Sequence, residues 1–111
     1  NTMWAFAKLG VMPTPELLTG LEAQAVSEMQ HFWPQELTNM VWAYATLGVI
    51  PRTRLLDALQ AQTLQEIRNF NPKDVTSTMW GYAALDVIPN PRLLEGLTGM
   101  VLQRLKEDEV K

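Results

Sequence analysis

The chain has 111 residues, of which 47% are hydrophobic and 19% are charged, and its formal net charge is −3 at pH 7. This length suits one domain that buries its own core, and no apolar stretch reaches the roughly 18 residues of a membrane-spanning helix. The absence of cysteine excludes disulfide bonds and thiolate metal sites, and the net negative charge disfavours a polyanionic partner.

A single pattern occurs three times along the chain, at a spacing of 38 residues. Aligning the tryptophans at positions 4, 42 and 80 requires no insertion or deletion, and eight positions are then identical in all three copies. Because unrelated segments do not keep such a register, we interpret the chain as an array of internal repeats. The predicted units are a partial first repeat over 1–33, a second repeat over 34–71, a third repeat over 72–109, and a polar end over 107–111.

The first half of each unit is predicted to form a helix that ends at a residue in the left-handed conformation. Gly10 and Gly48 stand at this position in the first two units, and Asp86, which tolerates the conformation less well, stands there in the third. The helix of the third unit has Asn71 as its N-cap, followed by a proline and an aspartate in the first turn. Trp33 occupies the same place in the second unit, and this helix start is predicted to be weaker because the side chain lacks an oxygen.

The second half of each unit is predicted to form another helix, which starts near positions 14, 52 and 90. Thr14 and Asn90 each precede a proline, which is typical of a helix start, whereas Arg52 does not. Apolar residues of this helix follow the 3.6-residue period, and others such as Leu64 lie on the opposite side. A helix that is apolar on two sides needs neighbours on both. The predicted fold is therefore all-α, a right-handed α-solenoid of stacked helical hairpins.

The repeated segments resemble the octotricopeptide repeat family. The resemblance rests on ELTNMVWAYATLGVIP, DVTSTMWGYAALDVIP and NTMWAFAKLGVMP together with the 38-residue period, and it spans the whole chain. The proline-rich Pro-Pro-Pro-Glu-Trp stretch of that family is reduced here to PTPELL, PRTRLL and PNPRLL. The resemblance implies sequence-selective RNA binding in the chloroplast or mitochondrion, mostly in green algae. Family members stabilise or process transcripts, permit their translation, or bind organellar ribosomal RNA, and a targeting segment is expected to lie outside these residues.

A polar stripe on the first helix of each unit is the candidate RNA-binding surface. In the second unit, Gln35, Asn39 and Thr46 are spaced i, i+4 and i+11, which aligns them along one side of the helix. A modular RNA reader presents two or three side chains of each repeat to a base. Any solvent-exposed stripe is also polar, however, and many solenoid surfaces bind protein instead. The candidate RNA-binding residues of the three units are Asn1, Lys8, Gln35, Asn39, Thr46, Lys73 and Ser77.

The large aromatic residues are predicted to belong to the core. Bases stack on exposed aromatic rings, but Trp4, Trp42 and Trp80 flank the polar stripe and are identical in all three units. Identity across units favours packing between repeats. Three further aromatic residues fall on the apolar side of the same helices and are also predicted to be buried: Phe6, Tyr44 and Tyr82.

Few cations accompany the polar stripe. Arg52, Arg54 and Arg92 gather where the second helices start, and because cations oppose the helix dipole there, they are weak candidates for phosphate contacts. The alternative is that these turns are simply solvated. RNA binding by this chain is therefore expected to be weak, with a shallow dependence on salt.

No set of residues suggests catalysis. His31 is the single histidine and is predicted to lie on the surface near a turn, the carboxylates are scattered, and no glycine-rich phosphate loop is present. We therefore expect no enzymatic activity, no cofactor and no metal site. The main alternative to single-stranded RNA or ribosomal RNA as the partner is protein, with the chain acting as a scaffold of the tetratricopeptide type within a large complex.

Overall fold

The computed structural model describes residues 1–110, which form α-helices and short 3₁₀-helices and contain no β-strand. This confirms the predicted all-α class. The two 3₁₀-helices, Met29–His31 and Ile67–Asn69, each follow a second helix of the predicted hairpins. The six α-helices are α1 (Thr2–Leu9), α2 (Pro15–Glu28), α3 (Pro34–Leu47), α4 (Thr53–Gln65), α5 (Pro72–Leu85) and α6 (Pro91–Val110).

The C-terminal ends of α1, α3 and α5 have the predicted left-handed residues. Gly10 and Gly48 have φ values of 69° and 71°, and Asp86 adopts the same conformation with φ of 58°. In α5, the N–H of Asp86 donates to the carbonyl of Ala83, and the N–H of Val87 donates to the carbonyl of Tyr82, both at 3.0 Å. These bonds satisfy carbonyl groups that the last helical turn leaves without a partner.

The N-terminal ends of α3, α4 and α5 differ in their side-chain caps, as the sequence predicts. Asn71 and Asp74 form a reciprocal pair, in which the Asn71 side chain accepts from the Asp74 N–H at 2.8 Å and the Asp74 carboxylate accepts from the Asn71 N–H at 3.1 Å. Trp33 provides no side-chain cap to α3, although Glu36 accepts from the Trp33 N–H at 3.1 Å. Arg52 likewise provides no side-chain cap to α4.

The helices form two layers. In the first layer α1, α3 and α5 pack side by side, and in the second layer α2, α4 and α6 do the same. The layers meet where α3 contacts α4 and where α5 contacts α6. Gly81 brings α5 close to α3, because a Cβ atom at this position would overlap the side chain of Val41. The largest side chains of the core are almost fully buried: Leu37, Tyr44, Leu55, Leu59, Tyr82, Leu93 and Leu97.

A buried carboxylate connects the two layers between the first and second sequence repeats. Glu22 of α2 is 6% exposed and accepts a 2.8 Å hydrogen bond from the hydroxyl of Tyr44 in α3. The same carboxylate accepts from the N–H of Arg52 at 3.4 Å, and the Arg52 guanidinium lies 3.4 Å from its other oxygen. One repeat further along, Gln60 replaces the glutamate and accepts from the N–H of Asn90 at 2.6 Å. Each of these side chains therefore holds the turn that begins the following second-layer helix.

The predicted polar end does not interrupt the last helix. α6 continues through residues 107–110, and Lys111 lies outside the described residues. Arg104 and Asp108 form an exposed i, i+4 ion pair with a distance of 3.8 Å. Such a pair contributes only a few tenths of a kcal/mol to helix stability, roughly 0.3–0.5 kcal/mol in typical cases.

Candidate nucleic-acid interface

The predicted polar stripe lies on the solvent side of the first layer. On α3, Gln35 and Thr46 are exposed, and Asn39 between them is half-buried. The buried residues of α3, such as Leu37 and Tyr44, fall on other sides of the helix. The stripe is therefore accessible to a ligand that lies across the first layer.

The neighbouring helices present the corresponding residues at the same positions. On α5, Lys73 is exposed and Ser77 is half-buried. On α1, Lys8 is exposed, whereas the Asn1 side chain accepts from the Trp4 N–H at 3.1 Å and so caps the helix. Asn1 thus has a structural role in addition to the predicted RNA contact, and its oxygen is already engaged.

Two amides of the stripe bond to each other. The Gln35 side-chain N–H donates to the Asn39 side-chain oxygen at 3.0 Å. This bond fixes the orientation of both amides. It leaves the Gln35 carbonyl oxygen as an acceptor and the Asn39 amino group as a donor for further hydrogen bonds. An adjacent donor and acceptor form the arrangement that hydrogen-bonds to a base edge.

The tryptophans lie within the stripe, and the prediction that they belong to the core is wrong for two of the three. Trp4 is 37% exposed and Trp80 is 53% exposed, while Trp42 is half-buried and packs against the core. The physical reason is helical geometry. Position 42 lies i+3 from Asn39 and i+7 from Gln35, so its side chain shares their side of α3. The predictions for Tyr44 and Tyr82 are confirmed, and Phe6 is half-buried.

Lys8 lies between two of these rings. Its ammonium nitrogen is 5.5 Å from the centroid of the Trp4 ring and 5.7 Å from that of the Trp42 ring. Both distances are within the range of cation–π contacts, which contribute about 0.5–1 kcal/mol at exposed sites. The stripe thus combines hydrogen-bonding groups, aromatic rings and a positive charge on adjacent helices.

A protein-family model matches the part of the chain that contains α1 and α3. The model of the family described as FAST kinase-like protein, subdomain 1, matches residues 1–68 of this chain, which is more than half of it. The chain belongs to the FAST kinase-like family. This family comprises RNA-binding organellar proteins related to repeats of the octotricopeptide type, but no model of the octotricopeptide family itself matches. No curated protein and no solved structure matches the chain.

The FAST kinase-like match covers most of the candidate interface. It includes α1 and α3, with Lys8, Gln35, Asn39 and Thr46, and it ends before Lys73. Membership in this family supports an RNA-associated function in organelles. The resemblance noted from the sequence and the family match therefore point to the same class of ligand.

The arginines proposed for phosphate contact lie on the second layer rather than in the stripe. Arg52 and Arg54 are at the start of α4, and Arg92 is at the start of α6. Arg52 is paired with Glu22, although its side chain remains 61% exposed. Arg52 and Arg54 line a shallow cavity of about 310 Å³, to which Glu22 also contributes. A buried carboxylate at this place opposes the binding of an anion.

The structure gives no indication of a metal site or a membrane span. The residues from 1 to 110 include no cluster of three or more histidine, cysteine, aspartate or glutamate side chains suited to a metal ion. Within the same part of the chain, no helix is long and apolar enough to cross a membrane. His31 is exposed at the end of a 3₁₀-helix, as predicted.

Proposed function

We propose that this chain is a non-catalytic RNA-binding segment of a right-handed α-solenoid, in which 38-residue hairpins each contribute one first-layer helix to the RNA-binding surface. The observation that supports this most is the exposed stripe on α3, where Gln35 and Asn39 are held in place by their mutual hydrogen bond. At the matching places, Lys73 and Ser77 on α5 differ from Gln35 and Asn39, whereas Asn1 is the same residue type as Asn39; eight other positions, including the leucines 21, 59 and 97, are identical in all three units. Variable polar groups on a constant framework are what a sequence-selective reader of single-stranded RNA requires.

The proposed location is the chloroplast or the mitochondrion. Both the resemblance of the sequence to octotricopeptide repeats and membership in the FAST kinase-like family support an organellar site of action. The proposed targets are organellar transcripts, which the protein would stabilise or process in concert with other factors, or organellar ribosomal RNA. The ribosome and a green-algal origin are parts of this proposal that rest on the octotricopeptide resemblance.

The absence of catalytic activity is part of the proposal. The single histidine, His31, is exposed at a turn outside the first-layer helices, so among residues 1–110 no histidine lies on the polar stripe. The polar residues of the stripe are instead amides, hydroxyls and lysines, which bind through hydrogen bonds and charge. A protein of this kind would act by occupying RNA or by recruiting other components to it.

Fluorescence anisotropy with a short labelled single-stranded RNA pool of random sequence tests the proposal. The stripe contains two cations, Lys8 and Lys73. The logarithm of the binding constant should therefore fall with the logarithm of salt concentration with a slope of about −1.4, from roughly −0.7 for each neutralised phosphate. The double substitution of Gln35→Ala and Asn39→Ala should weaken binding, whereas Gln65→Ala on α4 should not. Nanomolar binding with a steep salt slope would contradict a stripe of two cations.

A protein-interaction scaffold of the tetratricopeptide type is the second candidate. It is favoured by the net charge of −3 and by an open cavity of about 660 Å³ at the end of the array, lined in part by Met100, Val101 and Leu105. Crosslinking of the intact protein in its own compartment separates the two functions. A nucleotide adduct on α1, α3 or α5 supports RNA binding, and a peptide adduct without nucleotide supports the scaffold.

A further inference from the structure

The three equivalent tryptophans form a row across the first layer. Trp4, Trp42 and Trp80 occupy the same position on α1, α3 and α5, which pack side by side in that order. We refer to these three residues as the tryptophan row. Two of them expose a third or more of their surface to solvent, and the third is half-buried beside Lys8.

Burial in the core accounts for part of Trp42 but not for the exposed surface of Trp4 and Trp80. The neighbouring helix covers other positions of α3, such as Val41, which is 2% exposed and lies against Gly81 of α5. Trp80 is 53% exposed on α5, which packs on α3 and α6 and has a first-layer neighbour on one side only among the described helices. Large exposed aromatic surface at a regular position is unfavourable in water and is typical of a binding surface.

We propose that the tryptophan row stacks the bases of single-stranded RNA, one base on each first-layer helix, and that Lys8, which lies over the Trp4 and Trp42 rings without RNA, moves to the phosphate between the first two bases when RNA binds. This inference rests on the proposed function and adds to it which side chains contact the RNA bases and the phosphate. Base–aromatic stacking contributes roughly 1–3 kcal/mol per base to single-strand binding and is tolerant of sequence. The polar stripe beside the rings would then supply the sequence preference.

The surroundings of the rings favour RNA over an apolar protein segment. On α3 the Trp42 side chain is flanked by Asn39 and Thr46, and on α5 the Trp80 side chain is flanked by Ser77. Short polar groups at these positions are suited to hydrogen-bond the edges of a base stacked on the ring. An amphipathic partner helix would instead require a continuous apolar groove, with anchors at i, i+3, i+4 and i+7.

The spacing of the row suits one base per helix. Because Lys8 lies 5.5 Å from one centroid and 5.7 Å from the other, the Trp4 and Trp42 rings are separated by no more than the sum of these distances. Packed helices are about 8–10 Å apart, and arrays of helical repeats commonly read one base per repeat. The place of Lys8 is taken by Thr46 on α3, so the second interval has no cation at this position.

The experiment compares the wild-type chain with matched tryptophan variants. Trp80→Leu keeps an apolar side chain but removes the stacking surface, and Trp80→Tyr restores a ring. Trp33→Leu is the control, because Trp33 is 70% exposed but lies at the start of α3, outside the row. Binding is measured by anisotropy with the random-sequence RNA pool and with an abasic strand of the same backbone. Far-UV circular dichroism verifies that each variant is folded.

The expected result is loss of RNA binding by about 5- to 150-fold in Trp80→Leu, which corresponds to one base–aromatic contact. Trp80→Tyr should retain most of the binding, Trp33→Leu should bind as the wild type does, and the abasic strand should bind more weakly than RNA. Lys8→Gln should reduce the magnitude of the salt slope by about 0.7, while Lys106→Gln on α6 should leave it unchanged.

Two results would overturn the stacking inference and leave RNA binding intact: wild-type affinity in a folded Trp80→Leu variant, or an equal loss in Trp33→Leu. If the wild-type chain binds no RNA, the proposed function fails together with the inference. If Trp80→Leu does not fold, the stacking inference is tested instead by quenching of the tryptophan emission of the wild-type chain. Quenching by RNA and not by the abasic strand supports stacking, and equal emission with both strands contradicts it.

Discussion

Substitution of two equivalent tyrosines separates the contribution of a buried hydrogen bond from that of the aromatic ring. Tyr44 and Tyr82 are both almost fully buried and occupy the same position on α3 and α5. The Tyr44 hydroxyl donates to the Glu22 carboxylate at 2.8 Å. The Tyr82 hydroxyl has no hydrogen-bond partner among the described residues. Replacing each tyrosine by phenylalanine therefore removes an oxygen from the same place in two different environments.

The expected losses differ in size. A hydrogen bond to a charged group contributes about 1.5–3 kcal/mol, so Tyr44→Phe should lower the free energy of unfolding by this amount, because Glu22 is left buried with only the Arg52 contacts. Burying a hydroxyl without a partner is itself unfavourable. Tyr82→Phe should therefore change the free energy of unfolding by between roughly 0 and +1 kcal/mol.

The two tyrosines should also cause a loss of stability at alkaline pH. Burial, and then the hydrogen bond to Glu22, raise the pKa of Tyr44 well above its usual value of 10, and burial raises the pKa of Tyr82. The unfolded chain thus loses these protons first, and stability falls as the pH rises above 10. At pH 11 each tyrosine should account for about 1.4 kcal/mol of this loss, which the phenylalanine variants avoid.

Urea unfolding followed by far-UV circular dichroism at pH 7 and pH 11 measures both effects. In thermal unfolding, each kcal/mol should shift Tm by about 4–8 °C for a domain of this size. Equal losses in the two variants at pH 7 would show that the bond to Glu22 contributes nothing specific. A wild-type chain that loses no more stability at alkaline pH than the variants would contradict the burial of the neutral hydroxyls.

The other predictions concern backbone positions and are measured by the same unfolding experiment. Gly81→Ala should lower the free energy of unfolding by about 1–3 kcal/mol because the added Cβ overlaps Val41. Gly99→Ala should raise it by about 0.5–1 kcal/mol, because the added Cβ meets open space in α6. Losses of similar size in the two variants would contradict the close approach of α3 and α5. Asn71→Ala removes the acceptor of the Asp74 N–H and should cost about 1 kcal/mol, and no change would show that the cap is dispensable. Asp86→Gly should gain up to about 1 kcal/mol, since glycine adopts positive φ without strain, and a loss would mean that the aspartate side chain stabilises the turn.

Much of the secondary structure was predictable because helix ends depend on nearby residues. The glycines that end α1 and α3, and the Asn71 cap of α5, act through bonds to residues three to five positions away. The 3.6-residue period likewise indicated which side of α3 faces the core, and Tyr44 and Tyr82 are buried as predicted. The polar stripe followed from the same period.

The tryptophan row shows what the sequence alone did not decide. Identity of Trp4, Trp42 and Trp80 across the repeats was compatible with packing between repeats or with a shared surface. The spacing of Trp42 from Gln35 and Asn39 indicates that the tryptophans lie within the stripe. Large aromatic residues are usually buried, however, and this favoured the core. Only the packing of α1, α3 and α5 into one layer showed that the neighbouring helices cover other positions.

The sequence by itself therefore determined the helices, their ends and the polar side of the first helices, because these depend on interactions within a few residues. The tertiary structure decided which of the aromatic side chains are covered and that Glu22 reaches Tyr44, a contact between residues 22 positions apart. Contacts of this kind depend on how whole helices approach each other. That approach is set by many side chains together, including the space left at Gly81, and no single segment of the sequence specifies it.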